Sequence, residues 1–140
     1  MKKYVLLLWI LIVSSCASTT SKDSAKPLFE VLTVQKDGGA SIRFFEILSE
    51  EREIKMLLGD NNLKKKIKSE DINTSNFVIL NMGEQNTNGN SIEVEKVEEI
   101  KDKIIITTKE NKSNSKTITE DYLYPYTIVK INSKKQIVIN

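Results

Sequence analysis

The sequence contains no histidine, one cysteine, and only two prolines and five glycines among its 140 residues. The absence of histidine excludes the Ser-His-Asp and Cys-His arrangements of nucleophilic catalysis, and it removes the imidazole ligands of most zinc sites. A single cysteine cannot form a disulfide within the chain. The only catalytic groups left to consider are carboxylates and a serine activated by lysine.

The carboxylates follow the pattern of a solvated strand. Glu93 and Glu95 alternate with Ile92 and Val94, as side chains do on the two faces of a strand, and Glu98 and Glu99 follow. The sequence has neither the acidic spacing of a calcium loop nor a phosphate-binding glycine loop. We therefore predict a non-enzyme with no cofactor, no metal and no small-molecule substrate.

The single cysteine stands just after an N-terminal apolar run. Two lysines follow the initiator, and the apolar run extends from Tyr4 to Val13. This is the layout of a secretory signal, and the run is too short to span a bilayer. The sequence Val13-Ser14-Ser15-Cys16 resembles the bacterial lipobox, which implies that Cys16 receives a diacylglycerol and that the chain is cleaved just before it. The alternative is an ordinary signal peptide with an incidental cysteine.

The lipobox resemblance divides the chain into three parts. Residues 1–15 are the predicted lipoprotein signal peptide, residues 16–26 the lipidated cysteine with a small, polar tether, and residues 27–140 one globular domain. The expected location is the cell envelope, with the membrane contacted through the lipid on Cys16. Ala17 stands where many inner-membrane lipoproteins carry aspartate, which favours the outer membrane.

The charge balance gives no sign of a nucleic-acid partner. The chain has 21 Lys and Arg against 19 Asp and Glu, and two of the lysines lie in the predicted signal peptide. The remainder is therefore close to neutral. The lysines at positions 64–66 and 68 are the one local excess, and we interpret them as a solvated segment. We predict no nucleic-acid binding, which would need a clustered basic face.

Alternating apolar residues dominate the rest of the chain. They predict strands at 29–35, 41–48, 77–80, 92–100, 103–110, 122–131 and 136–139. The turn signal Asp37-Gly38-Gly39 predicts that the first two strands pair as a hairpin. One clear helix is predicted between an N-cap at Ser49 and a stop at Gly59, while residues 63–75 fit either a helical turn or a loop. The predicted fold class is α+β and sheet-rich, with about eight short, mainly antiparallel strands.

The C-terminal half resembles a known family. The segments NFVILNMG, NSIEVEKVEEIKDKIIITTKE and LYPYTIVKI are similar to the PrcB-like C-terminal domain, whose members are called protease-complex stability subunits. The similarity is specific over residues 76–140 and looser from Phe29 onward. It implies a non-catalytic accessory protein that binds and stabilises a secreted or surface protease, or another envelope protein.

The family resemblance is densest in one loop and one strand. The family's loop reads proline, threonine, glycine, glycine, tyrosine, and its last strand carries a proline-tyrosine pair; here Asn86, Asn88 and Asn90 replace the proline, one glycine and the tyrosine. The candidate partner-binding residues are those of the loop and the strand: Gly83, Thr87, Asn88, Gly89, Asn90, Tyr124, Pro125 and Tyr126.

The tyrosine-rich strand has a structural interpretation beside the functional one. Alternation predicts that Tyr122, Tyr124 and Tyr126 share one face, where they would either pack on the sheet or contact a partner. Pro125 lacks a backbone donor, which predicts an edge strand or a bulge open to strand addition. The loop at residues 83–91 is either a partner contact or a plain connection.

Two other functions compete with the accessory role. A loop projecting from a β scaffold would also suit a tethered protease inhibitor, and a glycine-containing loop of this kind is similar to that of the chagasin-like inhibitors. A structural envelope lipoprotein without a dedicated partner is the third hypothesis.

Overall fold

The computed structural model describes residues 26–114 and 118–140, and the predicted signal peptide, Cys16 and most of the tether lie outside them. These residues form nine strands and two short helices. The strands are β1 Phe29–Gln35, β2 Phe44–Leu48, β3 Asn76–Asn81, β4 Gln85–Thr87, β5 Ser91–Ile100, β6 Lys103–Asn111, β7 Ile118–Leu123, β8 Tyr126–Ile131 and β9 Gln136–Ile139. The helices are α1 Glu51–Leu57 and α2 Asp71–Thr74.

A four-stranded antiparallel sheet in the order β1-β8-β3-β2 is the centre of the fold. The apolar run of β3 places Phe77, Val78 and Leu80 in fully buried positions. Because side chains of a strand alternate between its faces, both faces of this sheet must be covered. The prediction of a buried, central strand at residues 77–80 is confirmed.

A second sheet, β5-β6-β9, packs on one face of the first. Its buried residues Ile92, Ile104 and Ile106 meet Leu80 and Val129 of the four-stranded sheet. The β5–β6 pair is antiparallel, joined by a turn at Lys101, whereas β6 and β9 are parallel. The expectation of mainly antiparallel pairing is therefore confirmed, with this parallel pair as an exception.

The helices and the turns between them cover the opposite face of the four-stranded sheet. Ile54 and Leu57 of α1, with Leu63 and Ile67 from the following turns, pack with Phe77 of β3. The helix begins one residue later than predicted, with Glu50 rather than Ser49 as its N-cap. The side chain of Glu53 accepts hydrogen bonds from the backbone N–H groups of Ser49 and Glu50, at 3.1 Å each. Within residues 63–75, α2 is a second short helix.

The predicted hairpin of the first two strands is wrong. β1 pairs with β8 and β2 pairs with β3, so the two strands lie at opposite edges of the same sheet. The connection at residues 36–43 instead crosses the ends of β8 and β3. Pairing with these central strands buries more apolar surface than a two-stranded hairpin would, which overrides the local turn signal.

The predicted fold class is confirmed: the described residues form a sheet-rich α+β fold with mainly antiparallel strands. The count differs slightly, since nine strands and two helices replace about eight strands and one helix. The extra strand β4 lies inside the segment predicted as a loop, and residues 122–131 divide between β7 and β8. No helix of the described residues has the length and apolarity that crossing a membrane requires.

Candidate partner-binding surface

The two segments singled out in the sequence are neighbours in space. β4, inside the predicted loop, pairs antiparallel with β7, which precedes the proline-tyrosine pair. The register brings Gln85 opposite Leu123 and Thr87 opposite Ile118. We call this two-stranded unit, residues 85–87 and 118–123, the β4–β7 ribbon. It is separate from both larger sheets.

The turn after β4 is held by a buried asparagine. The amide nitrogen of Asn90 donates to Gln85 Oε1 at 2.8 Å and Thr87 Oγ1 at 2.9 Å, and its oxygen accepts from the Ser113 backbone N–H at 2.8 Å. Asn90 is 8% exposed. This residue therefore organises the ribbon from inside rather than presenting a side chain to a partner.

The remaining residues of the turn differ in their roles. Asn88 and Gly89 are exposed and Thr87 is half-buried. Gly89 adopts a φ of 89°, and a Cβ there would lie 3.2 Å from the side chain of Ser113. Glycine suits this position because L-residues rarely adopt that backbone conformation. Asn88 and Gly89 are the members of the turn that reach solvent.

Gly83 is a structural residue at the base of the ribbon. It is buried, its φ is 79°, and a Cβ would lie 2.8 Å from the backbone nitrogen of Arg43. The next residue, Glu84, donates its N–H to the carbonyl of Ser41 at 3.0 Å. The chain before β2 and the chain before β4 are therefore in direct backbone contact, which only a glycine at position 83 permits.

The tyrosine segment is not one strand. Tyr122 belongs to β7, Tyr124 and Pro125 lie in the connection, and Tyr126 begins β8. The prediction that the three tyrosines share a strand face is wrong, and so is the prediction of an edge or a bulge at Pro125. Pro125 is buried and its carbonyl accepts from Met82 N–H at 2.9 Å. Because proline has no backbone N–H group to donate, it separates β7 from β8, which begins at the next residue in the middle of the four-stranded sheet.

The connection between β7 and β8 is tied to the loop after β1. The backbone N–H of Tyr124 donates to Asp37 Oδ1 at 3.0 Å, and its carbonyl accepts from Gly39 N–H at 2.9 Å. Tyr124 itself is half-buried. Its backbone therefore fixes the position of this connection, independently of its ring.

Two apolar side chains of the ribbon are exposed: Tyr122, which the sequence indicated as a packing residue or a partner contact, and Ile118, which it did not. Ile118 is 69% exposed and Tyr122 is 56% exposed. Both residues belong to β7, whose pairing with β4 shifts register between Gln85 and Thr87, so each is described by its own exposure rather than by strand alternation. Ile118 was missed because the segment before Tyr122 was not recognised as a strand. The ribbon thus exposes one aliphatic and one aromatic side chain, which suits a protein contact.

An open groove of about 360 Å³ lies beside the connection. Its wall includes Phe44, Ile79, Tyr126 and Ile128, with Gly38 and Gly39 on the rim. Burial raises the pKa of the Tyr126 phenol and the negative charge of Asp60 raises it further. Its hydroxyl therefore stays protonated at neutral pH, and the groove is mainly apolar, with Tyr126 and Asn81 as neutral polar residues. We call it the Tyr126 groove.

The rim of the Tyr126 groove depends on Asn81. The side-chain oxygen of this buried residue accepts from Ala40 N–H at 3.0 Å, and its nitrogen donates to the carbonyls of Ala40 at 2.9 Å and Ile42 at 2.7 Å. A Cβ at Gly39 would lie 2.2 Å from Asn81 Oδ1. Any side chain at position 39 would therefore clash with Asn81, so the hydrogen bonds of Asn81 require glycine there. Neither was identified from the sequence.

The glutamates of β5 are exposed at positions 93, 95 and 99 and half-buried at position 98. Glu93 accepts from Asn111 Nδ2 at 2.8 Å, Glu98 pairs with Lys96 at 2.7 Å, and Glu99 pairs with Lys135. Among the described residues, no cluster of three or more acidic side chains could hold a metal ion.

The comparisons with known proteins agree with the sequence resemblance. Residues 76–132 match the model of the family described as PrcB C-terminal. The match runs from β3 to the end of β8, and so includes the ribbon, the Asn90 turn and the connection at Pro125. No curated protein and no solved structure matches the chain.

Proposed function

Because residues 76–132 form a PrcB-like C-terminal region, we propose that this protein is a membrane-anchored, non-catalytic accessory lipoprotein. It binds and stabilises a protease or another protein of the cell envelope. The observation that carries the proposal is the pairing of β4 with β7, since it joins the two segments in which the family resemblance is densest. A lipid on Cys16 anchors the protein, and the outer membrane is the proposed location.

The proposed contact surface is the exposed face of the β4–β7 ribbon together with the turn at Asn88 and Gly89. Ile118 and Tyr122 supply apolar area, and tyrosine is enriched in protein interfaces. The internal hydrogen bonds of Asn90 hold the ribbon in a defined shape. A preorganised surface of this kind loses little conformational entropy on binding.

Capture of the partner in intact cells tests the accessory function. In one variant, the tagged full-length protein carries a photo-crosslinking amino acid in place of Tyr122. A control variant carries the same group in place of Ile100, which lies in β5 of the three-stranded sheet and is 51% exposed. We expect one envelope protein to be crosslinked from position 122 and not from position 100. The amount of that protein should fall in cells that lack this lipoprotein. Equal crosslinking from both positions, or no change in amount, would contradict the proposal.

The anchor is tested separately, by intact-mass measurement of the protein extracted from membranes. The mature chain should begin at Cys16 and carry added lipid mass. Cys16→Ser should release the protein from membranes or leave it unprocessed. An unmodified mature chain that begins elsewhere would show that the apolar N-terminus is an ordinary signal peptide.

The tethered inhibitor remains the second candidate because the Asn88–Gly89 turn projects from a β scaffold. Purified protein that inhibits the captured protease, rather than prolonging its lifetime, would favour that alternative.

A further inference from the structure

β2 presents an unpaired backbone edge. It is the last strand of the four-stranded sheet and pairs on one side only, with β3. In residues 26–114 and 118–140, no backbone hydrogen bond outside this pairing involves Phe44–Leu48. Unpaired backbone groups in an extended strand are complementary to one kind of ligand, which is another extended polypeptide.

The groups that point outward can be assigned from the neighbouring strand. Met82 donates its N–H to Pro125 on the β8 side, at 2.9 Å. Since donors of a strand alternate between its two sides, Asn81, Ile79 and Phe77 direct theirs toward β2. Their partners Phe44, Glu46 and Leu48 therefore point inward.

The intervening residues of β2, Phe45 and Ile47, consequently direct their N–H and C=O groups away from the sheet. Two residues of one edge thus offer two donors and two acceptors for another strand.

Two other edges of the larger sheets, those of β1 and β5, are protected. β1 has a register shift between Val31 and Thr33, and the Lys66 ammonium group donates to the Leu32 carbonyl there. β5 has a shift between Val94 and Lys96. Bulges and lysines at an edge disfavour pairing with another chain. β2 has no register shift, and it is longer than β9, the other unbulged edge strand of the two larger sheets.

The side chains of β2 specify what the added strand should carry. Glu46 is exposed, and its carboxylate has no ion pair or hydrogen bond within the described part of the chain. On the opposite face, Ile47 is 37% exposed and Phe45 is half-buried. A basic residue opposite Glu46, between two apolar residues facing Phe45 and Ile47, satisfies all three positions.

A second copy of this chain fits the edge poorly. Antiparallel self-pairing that uses the outward groups of both Phe45 and Ile47 places Glu46 directly opposite Glu46 of the other copy. Like charges in directly opposed positions destabilise a strand pair. The carboxylate therefore selects against self-association while it accepts a cationic partner.

We propose that β2 binds an extended segment of the partner protein by strand addition, and that this segment has the sequence pattern apolar–basic–apolar. The proposal rests on the accessory function and specifies how the partner is held. The edge is continuous with the proposed contact surface, because Ser41, just before β2, accepts the N–H of Glu84, just before the ribbon. One partner can therefore occupy β2 and the ribbon together.

A peptide-binding experiment tests the edge directly. The probes are acetyl-Ser-Thr-Val-Lys-Val-Thr-Ser-amide and the same peptide with glutamate in place of lysine. Full-length protein in detergent micelles is titrated with each, and amide hydrogen exchange is followed by NMR. We expect the lysine peptide to bind more tightly than the glutamate peptide and to slow exchange at Phe45 and Ile47.

Two variants and one control make the test specific to the edge. Ile47→Pro removes an outward donor that has no partner, so it should reduce binding of the lysine peptide at least about tenfold. The control Ile47→Thr keeps that donor and a β-branched side chain, and should bind within about threefold of wild type. Glu46→Lys should reverse the preference between the peptides, by about fivefold. This variant remains informative even if Ile47→Pro unfolds the sheet.

The outcomes separate this proposal from the accessory function. If cells yield a crosslinked partner but Ile47→Pro captures it normally, strand addition is wrong and the accessory function stands. If no partner is captured although the peptides bind as described, the accessory function fails and the edge assignment stands. Equal binding of both peptides, or protection elsewhere than β2, overturns the edge assignment. A wild-type dimer that Ile47→Pro dissociates would show that the occupant is a second copy.

Discussion

The ammonium nitrogen of Lys130 lies 3.4 Å from Oδ2 of Asp71, in the interior between β8 and α2. The Asp71 side chain is fully buried and that of Lys130 is 7% exposed. Glu30 of β1, at 3.0 Å, is a second and more exposed partner. Burial alone would lower the pKa of Lys130, but the hydrogen bond to Glu30 and the charge of Asp71 outweigh it and the pKa is raised. Stabilisation by this lysine is thus complete at neutral pH and is lost only above the pKa of an unfolded lysine.

Breaking this ion pair should destabilise the fold strongly. Lys130→Met leaves the Asp71 carboxylate buried without its cation, and should lower the free energy of unfolding by about 3–5 kcal/mol. The double variant Lys130→Met/Asp71→Leu should recover part of that loss. Chemical unfolding followed by circular dichroism measures both. Lys26→Met, which breaks the exposed pair with Glu70, is the control and should change stability by less than about 1 kcal/mol.

The Asn90 turn gives a prediction that differs from the one its sequence suggests. As members of a polar loop, Asn88 and Asn90 should tolerate alanine equally. Because Asn90 is buried with three hydrogen bonds, Asn90→Ala should instead cost about 3 kcal/mol, whereas Asn88→Ala should cost about 0.5 kcal/mol. Thermal unfolding of the two single variants tests this directly. Equal melting temperatures would contradict the assigned role of Asn90.

Asn81 should control the rim of the Tyr126 groove. Asn81→Ala removes three hydrogen bonds to Ala40 and Ile42, so the free energy of unfolding should fall by about 3 kcal/mol. Amide hydrogen exchange should also accelerate at residues 38–42. The exposed Asn62 provides a control, since Asn62→Ala should affect neither quantity. A variant with wild-type exchange at residues 38–42 would show that the rim is held by other contacts.

The sequence predicts correctly those strands in which apolar and polar residues alternate clearly. Residues 29–35, 92–100 and 103–110 alternate clearly, and the structure places strands there within one residue at each end. Pairing is less predictable because it depends on burial over the whole chain: β1 and β2 carry a turn signal between them, yet each finds a more apolar partner. β4 is three residues long, too short for a periodicity to be detected.

The candidate site was predictable by segment but not by residue. The family resemblance indicated the loop and the tyrosine segment, and they are indeed adjacent. The roles within them depend on contacts distant in sequence: Asn90 binds the backbone at Ser113, and Gly83 packs against Arg43. Such contacts leave no local pattern, so a buried asparagine and an exposed one look alike in the sequence.

The start of α1 should be sensitive to acid. Backbone hydrogen bonds from Glu50 and Ser49 lower the pKa of Glu53, so its capping contribution is present above the pKa of an unfolded glutamate, about 4.3, and is lost as pH falls through the lower folded value. Glu53→Gln should therefore melt below wild type at pH 7, and the gap should narrow as the pH falls through the lowered pKa of Glu53. A gap independent of pH would exclude the charged cap.

The exposed face of the ribbon should affect binding without affecting stability. Ile118→Ser and Tyr122→Ser replace side chains that are 69% and 56% exposed, so each should change the free energy of unfolding by only about 0.5 kcal/mol. If this face is central to the interface, each should weaken capture of the crosslinked partner by at least about tenfold, the loss typical of a hot-spot residue. Ile100→Ser, on the other sheet, is the matched control and should capture normally. Thermal unfolding and quantitative pull-down of the same samples distinguish the two effects. If the variants melt at a lower temperature and bind in proportion to their folded fraction, Ile118 and Tyr122 have a structural role. If they melt and capture the partner normally, the contact surface lies elsewhere on the protein.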